Sequence, residues 1–163
     1  ALQAAVDAAK ATGDLKTAFR ATSVFHQPAK AACKRFGVVG LGKAAAVDSE
    51  KFRRAAAVAQ ARAAEIGVAK FTLLVPNGVR GSLSAFDLGV AVAEGMHLGA
   101  YQYEPPRQQQ PKDKHAQQCD VATVGMAKKD EAAFAQGLEF GRVGAEATVF
   151  ARDLENMAAN QCT

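Results

Sequence analysis

The spacing of apolar and polar positions changes several times along the chain, and each change predicts an element. In residues 1–11, ALQAAVDAAKA, Leu2, Val6 and Ala9 fall near one helical face, and the TGD that follows is a stop. TSVFHQ at 22–27 is a short β-branched and aromatic run ended by Pro28, which reads as a strand. RFGVVGLG at 35–42 is a compact apolar run closed by Gly40 and Gly42, the pattern of a buried strand. The period then returns to that of a helix over 48–67, DSEKFRRAAAVAQARAAEIG, with Asp48 or Ser49 as N-cap and Gly67 as stop. KFTLLVP at 70–76 reads as another buried strand, ended by Pro76. Strand, helix and strand in this order predict a right-handed βαβ unit whose two strands run parallel under covering helices.

Residues 82–103, SLSAFDLGVAVAEGMHLGAYQY, set Leu83, Phe86, Val90, Ala93 and His97 or Leu98 on one side of a helix capped by Ser82. Gly89, Gly95 and Gly99 give that helix small-residue contacts. EPPRQQQPKDKHAQQ, 104–118, is polar and punctuated by proline, which predicts an exposed loop. CDVATVGM, 119–126, reads as a strand. Residues 128–156 read as a long amphipathic helix whose apolar stripe is approximated by Phe134, Leu138, Val143, Ala147, Phe150 and Leu154. The whole predicts an α/β fold, a mostly parallel sheet flanked by helices, ending in a long helix.

Composition refines this picture. A chain of 163 residues is long enough for one domain with its own core. With no Trp and 7% aromatic residues, that core must come from Val, Leu, Ile and Phe, and the many alanines favour close helix packing. A net charge of +4, scattered along the chain, is too mild to imply nucleic acid. Cys33, Cys119 and Cys162 are odd in number and widely spaced, which fits free thiols in a reducing intracellular compartment. No apolar run approaches the ~18 residues that span a bilayer.

Candidate chemistry is sparse. GVVGLGK, 37–43, has Gly37 and Gly42 ahead of Lys43 as in a phosphate loop, but Ala44 occupies the hydroxyl position, so a tight strand-exit turn is the better reading. His26, His97 and His115 have no metal-ligand spacing. Glu94 is explained by a solvated pair with His97 or with Lys residues on its own helix. Cys119, next to Asp120, lacks a sequence-local base and reads as a small buried residue. Lys34, Arg35, Lys51, Arg53, Arg54, Arg62 and Lys70 lack interleaved aromatics and read as solvated faces. No residue is assigned a catalytic, cofactor-binding or metal-ligating role.

Four stretches in order carry a family likeness: RFGVVGLGK at 35–43, FRRAAAVAQARAA at 52–64, AVAEGMHLGAYQY at 91–103 and ARDLENMAANQCT at 151–163. Together they resemble the N-terminal part of the leucyl aminopeptidase family, the cytosol aminopeptidases. The resemblance implies a macro-like α/β domain over 1–150, with a mostly parallel sheet covered by helices on both sides. It implies that 151–163 begins the connection to a catalytic domain absent from this chain. That domain would carry two divalent metals, Zn or Mn, and remove N-terminal residues from peptides. The partners implied are that catalytic domain or other subunits, in a homo-oligomer that is hexameric in the family, and the location implied is cytoplasmic, with an organelle as the alternative. Two departures stand out. Ala158 replaces the proline of the family's P-A-N element, with Glu155 before Asn156 where the family is apolar, and only about 34 residues precede the V-G-L-G strand, so first strands are expected to be missing. The expected role is that of a non-catalytic N-terminal domain, or else of an aminopeptidase-derived structural subunit.

Overall fold

The computed structural model describes residues 2–26, 33–103 and 118–157. Among these residues four α-helices and four strands follow one another: α1 (Leu2–Ala11), β1 (Thr22–His26), β2 (Arg35–Val39), α2 (Ser49–Glu65), β3 (Lys70–Pro76), α3 (Ala85–Ala100), β4 (Gln118–Val124) and α4 (Lys128–Asn156). The fold is α/β. The loop expected over 104–118 lies outside the described residues up to 117, as do His115, Cys162 and Ala158.

The helix ends follow local chemistry. The Asp48 carboxylate accepts from the Lys51 backbone N–H at 2.8 Å, fixing the start of α2. At its other end Gly67 takes φ +67, a left-handed conformation that stops the helix where glycine alone is unstrained. Ser84, rather than Ser82, caps α3 by accepting from the Asp87 N–H at 3.0 Å.

The strands divide between two sheets, which departs from the expected single sheet. β2 pairs antiparallel with β1, in register Thr22 with Val39 through His26 with Arg35, and β3 pairs parallel with β4, Lys70 with Gln118 through Pro76 with Val124. The parallel βαβ unit is therefore β3–α3–β4. The strands on either side of α2 do not pair with each other.

The core lies between β3–β4 and the helices. Phe71, Leu73, Val75, Cys119 and Val121 turn one sheet face toward Phe52 of α2, Leu88, Val92 and Met96 of α3, and Phe134 of α4. Leu88 and Val92 are fully buried. On the opposite face Leu74 and Val124 are 49% and 52% exposed, so these strands are covered on one side rather than buried on both.

Close backbone approach holds α3 between α2 and α4. A Cβ on Gly137 would run into the Phe86 carbonyl oxygen, one on Gly95 into the Arg53 carbonyl, and one on Gly141 would lie 2.6 Å from the Val90 carbonyl oxygen. The face of α4 against α3 is thus Phe134, Gly137, Gly141 and Ala145. The expected stripe is corrected in its second half: Val143, Phe150 and Leu154 point outward, at 53%, 66% and 45% exposure, and Phe140 joins them at 64%. Hydropathy favoured the large residues, but small ones allow the two helix backbones to meet.

Two glycines of α4 test this. Gly137→Ala should destabilise by about 1–3 kcal/mol through overpacking against a backbone carbonyl that cannot swing away, despite a helix-propensity gain of about 1 kcal/mol. Gly144→Ala, whose Cβ would meet nothing within 4 Å, should instead stabilise by about 0.5–1 kcal/mol. Urea unfolding midpoints decide, and shifts of the same sign in both variants would remove close approach as the cause.

Candidate functional site

The sequence-marked residues are scattered over the fold rather than gathered in one place. Gly37 lies inside β2, and Gly40 packs its bare Cα against the Thr17 and Ala18 carbonyls. Lys43 leads into a short 3-10 turn over Ala44–Ala46, and the next α-helix starts at a capping carboxylate, Asp48. An anion approaching that helix end would meet a like charge already bonded to the N–H group.

Glu94 has a different partner from the one expected. Its carboxylate accepts from Nε of Arg53 at 2.6 Å, linking α3 to α2, and Arg53 also pairs with Glu50. Arg53 and Glu94 keep 33% and 26% side-chain exposure, so the pair joins two helices in a partly buried setting. The basic residues are likewise not all free in solvent: Arg54 pairs with Glu50 at 2.7 Å and Arg62 with Glu65 at 2.6 Å. Arg80 and Asp130, at 2.9 Å and 24% exposure each, tie the segment after β3 to the first turn of α4.

Cys119 is half-buried in β4, and burial pushes its thiol up to about 11. It is a neutral thiol near pH 7, without the thiolate that nucleophilic attack requires. His26 is exposed at the end of β1. Among the described residues no three His, Cys, Asp or Glu side chains converge as a metal site.

Two concavities stand out among the described residues. The smaller, about 340 Å³, lies where α3 and α4 diverge and is lined by His97, Tyr101, Glu146, Phe150 and Asp153 among others. Three of its polar groups, Tyr101, Asp153 and Glu146, are already engaged. The Tyr101 hydroxyl donates to Asp153 at 2.8 Å, the Arg152 guanidinium lies 5.7 Å from the Tyr101 ring centroid, and Glu146 accepts from Arg142 at 2.6 Å. Burial and the Asp153 carboxylate push the Tyr101 phenol above its ordinary value of 10.0, against smaller opposing effects of Asn156 and Arg152. The hydrogen bond anchors the end of α3 to α4. The larger cavity, about 940 Å³, runs between β2 and β3 beside α2. It was not anticipated, because no sequence pattern announces a strand that lacks a neighbour.

Residues 1–110 match the Cytosol aminopeptidase family, N-terminal domain. The "Probable cytosol aminopeptidase" of Roseiflexus castenholzii is 29% identical over 152 residues, covering 93% of this chain and 30% of that protein. The protein of the same description from Alkaliphilus metalliredigens is 29% identical over 142 residues, 87% of this chain and 28% of its own length. Among solved structures, the bottromycin maturation enzyme BotP in complex with Mn aligns with a TM-score of 0.63 at 26% identity, over 95% of this chain and 30% of that one. The chain thus spans less than a third of the length of these relatives.

The Tyr101–Asp153 contact makes a prediction about alkaline behaviour. A phenol whose folded pKa is raised contributes stability that is complete below the unfolded value, near 10, and is lost as pH rises through the folded value. Asp153→Asn should lower the Tyr101 ionisation midpoint, read as phenolate absorbance near 295 nm. An unchanged midpoint would separate Asp153 from the shift.

Proposed function

The chain belongs to the cytosol aminopeptidase family, whose N-terminal domain it contains, and from that premise we propose that it is a non-catalytic, structural part of a metal-dependent aminopeptidase. The parent would remove N-terminal residues from peptides, with two divalent metals activating a water and polarising the scissile carbonyl. Among the described residues no three His, Cys, Asp or Glu side chains converge. In this reading the ligands, and the chemistry with them, lie in a catalytic domain that this chain does not include.

The observation that carries the structural role is the outer face of α4. Phe140, Val143, Phe150 and Leu154 are spaced like the seam of a coiled coil and are 45–66% exposed, although Phe140 also tilts against Phe86 of α3 and Phe150 borders the concavity beside Tyr101. A row of large apolar side chains facing water supports an interface with a further domain or subunit. Residues 151–163 then begin the connection to the catalytic domain, and a homo-oligomer, hexameric by the family likeness, would supply the subunit contacts. In this reading the fold is macro-like, with the two sheets as parts of one, and the protein works in the cytoplasm. A second reading, an aminopeptidase-derived subunit of a larger assembly without peptidase activity, is favoured by Ala158 and Glu155, which depart from the family's linker element.

The test is direct. The purified 163-residue chain, supplied with Mn²⁺ or Zn²⁺, should show no hydrolysis of a leucyl peptide above the metal blank. Turnover that rises with the concentration of the chain would overturn the non-catalytic assignment. A coding sequence that continues past Thr163 into a segment rich in Asp, Glu and Lys selects the first reading, and a stop codon there selects the second.

A further inference from the structure

The last three turns of α4 are held differently from the rest of the helix. The buried residues of α4 are Phe134, Gly137, Gly141 and Ala145, and among the described residues of the helix none after Ala145 is buried. Past that point α3 and α4 part around the smaller concavity, while Phe150 and Leu154 stay largely exposed. The final turn also carries no basic residue to offset the helix dipole. Turns with so little buried area fray unless something else ties them down.

Tyr101 reaches across the gap. It stands at the C-terminal end of α3, where its own N–H makes only a long bond, 3.4 Å, to the Leu98 carbonyl. Its side chain meets three residues of α4 at once. The hydroxyl donates to Oδ1 of Asp153 at 2.8 Å, and its oxygen accepts from the Asn156 amide. The Arg152 guanidinium lies 5.7 Å from the ring centroid. Nδ2 of Asn156 also donates to the Arg152 carbonyl one turn earlier, at 2.8 Å, so the three residues form one linked set.

These contacts join two stretches that the sequence set apart without a role for either. Tyr101 belongs to AVAEGMHLGAYQY, and Arg152, Asp153 and Asn156 belong to ARDLENMAANQCT. The spacing i, i+1 and i+4 puts the last three on one side of the helix, the side that Tyr101 meets.

We propose that Tyr101 is a clasp that fixes the direction in which α4 leaves the domain. Two points set the line of a helix. The glycine seam against α3 is the first, ending at Ala145, and the clasp at Asp153 is the second, about 12 Å farther along the axis. Without the clasp, the stretch after Ala145 bends or frays away from α3. What the direction serves rests on the reading above, in which 151–163 begins the connection to a catalytic domain. The clasp then sets how that domain is presented. Tyr101 is thus a positioning residue and touches no reacting atom.

The test compares the 163-residue chain with its Tyr101→Phe variant, which keeps the ring beneath Arg152 and removes both hydroxyl hydrogen bonds. Amide exchange at 150–156 should become about tenfold faster, while exchange at 134–145 keeps its rate. Residual dipolar couplings of the 147–156 amides should fit one rigid body with α3 in the parent chain and shrink in Tyr101→Phe. A uniform loss of stability would not move couplings measured on the folded state. Arg152→Gln, which withdraws the cation from the ring, should shift both readouts the same way by less, and it decides the matter if Tyr101→Phe does not fold. Glu155→Gln, an exposed change on the same turn, should move neither. Unchanged couplings in Tyr101→Phe, exchange that quickens equally along all of α4, or an equal response in Glu155→Gln would overturn the clasp. Neither readout involves hydrolysis, so failure of the clasp and failure of the non-catalytic assignment are told apart.

Discussion

The backbone of α3 lies against the backbones of α2 and α4, and the rest of the structure depends on that proximity. Gly89 and Gly95 on α3, with Gly137 and Gly141 on α4, leave room for carbonyl groups that any Cβ would displace. With no Trp and few aromatics to fill wide gaps, the chain reaches native packing by drawing helices together instead of by filling space between them. Each glycine weakens its own helix by up to about 1 kcal/mol, so the packing of Leu88, Val92, Phe52 and Phe134 must offset that loss. The Arg53–Glu94 pair closes the same α2–α3 seam at its edge.

This arrangement explains why α4 has two apolar faces of different kinds. The inner one is small and fixed by α3, so the large residues Phe140, Val143, Phe150 and Leu154 are left on the outside. A helix that needed only its own core would carry charge there. Arg142, with Glu139 and Glu146, does so on a neighbouring line, which keeps the helix soluble beside an apolar row.

The sequence was informative where local chemistry decides the outcome. Asp48, Gly67 and the alanine-rich run set α2 nearly to the residue, and the apolar runs at 35 and 70 marked β2 and β3. Pairing was less legible. β-branched runs announce strands without naming neighbours, so the expected partnership of the strands flanking α2 gave way to β1–β2 and β3–β4. The stripe of α4 is hidden for a related reason: a hydrophobic residue looks the same in the sequence whether it faces a helix or water, and glycine carries little signal even where it makes the tightest contact. Glu94 was read with neighbours on its own helix, whereas its partner lies on another element and could not be found by spacing. The candidate site was illegible because both concavities are gaps between elements, and no motif encodes a gap.

The outer face of α4 exposes large side chains, so what it offers a neighbouring surface is apolar area, which needs no specific hydrogen bonds. The polar side chains between elements are spent differently: Arg53 with Glu94, Arg80 with Asp130 and Tyr101 with Asp153 each tie one element to another, so among the described residues side-chain polarity goes into holding the helices and strands in place.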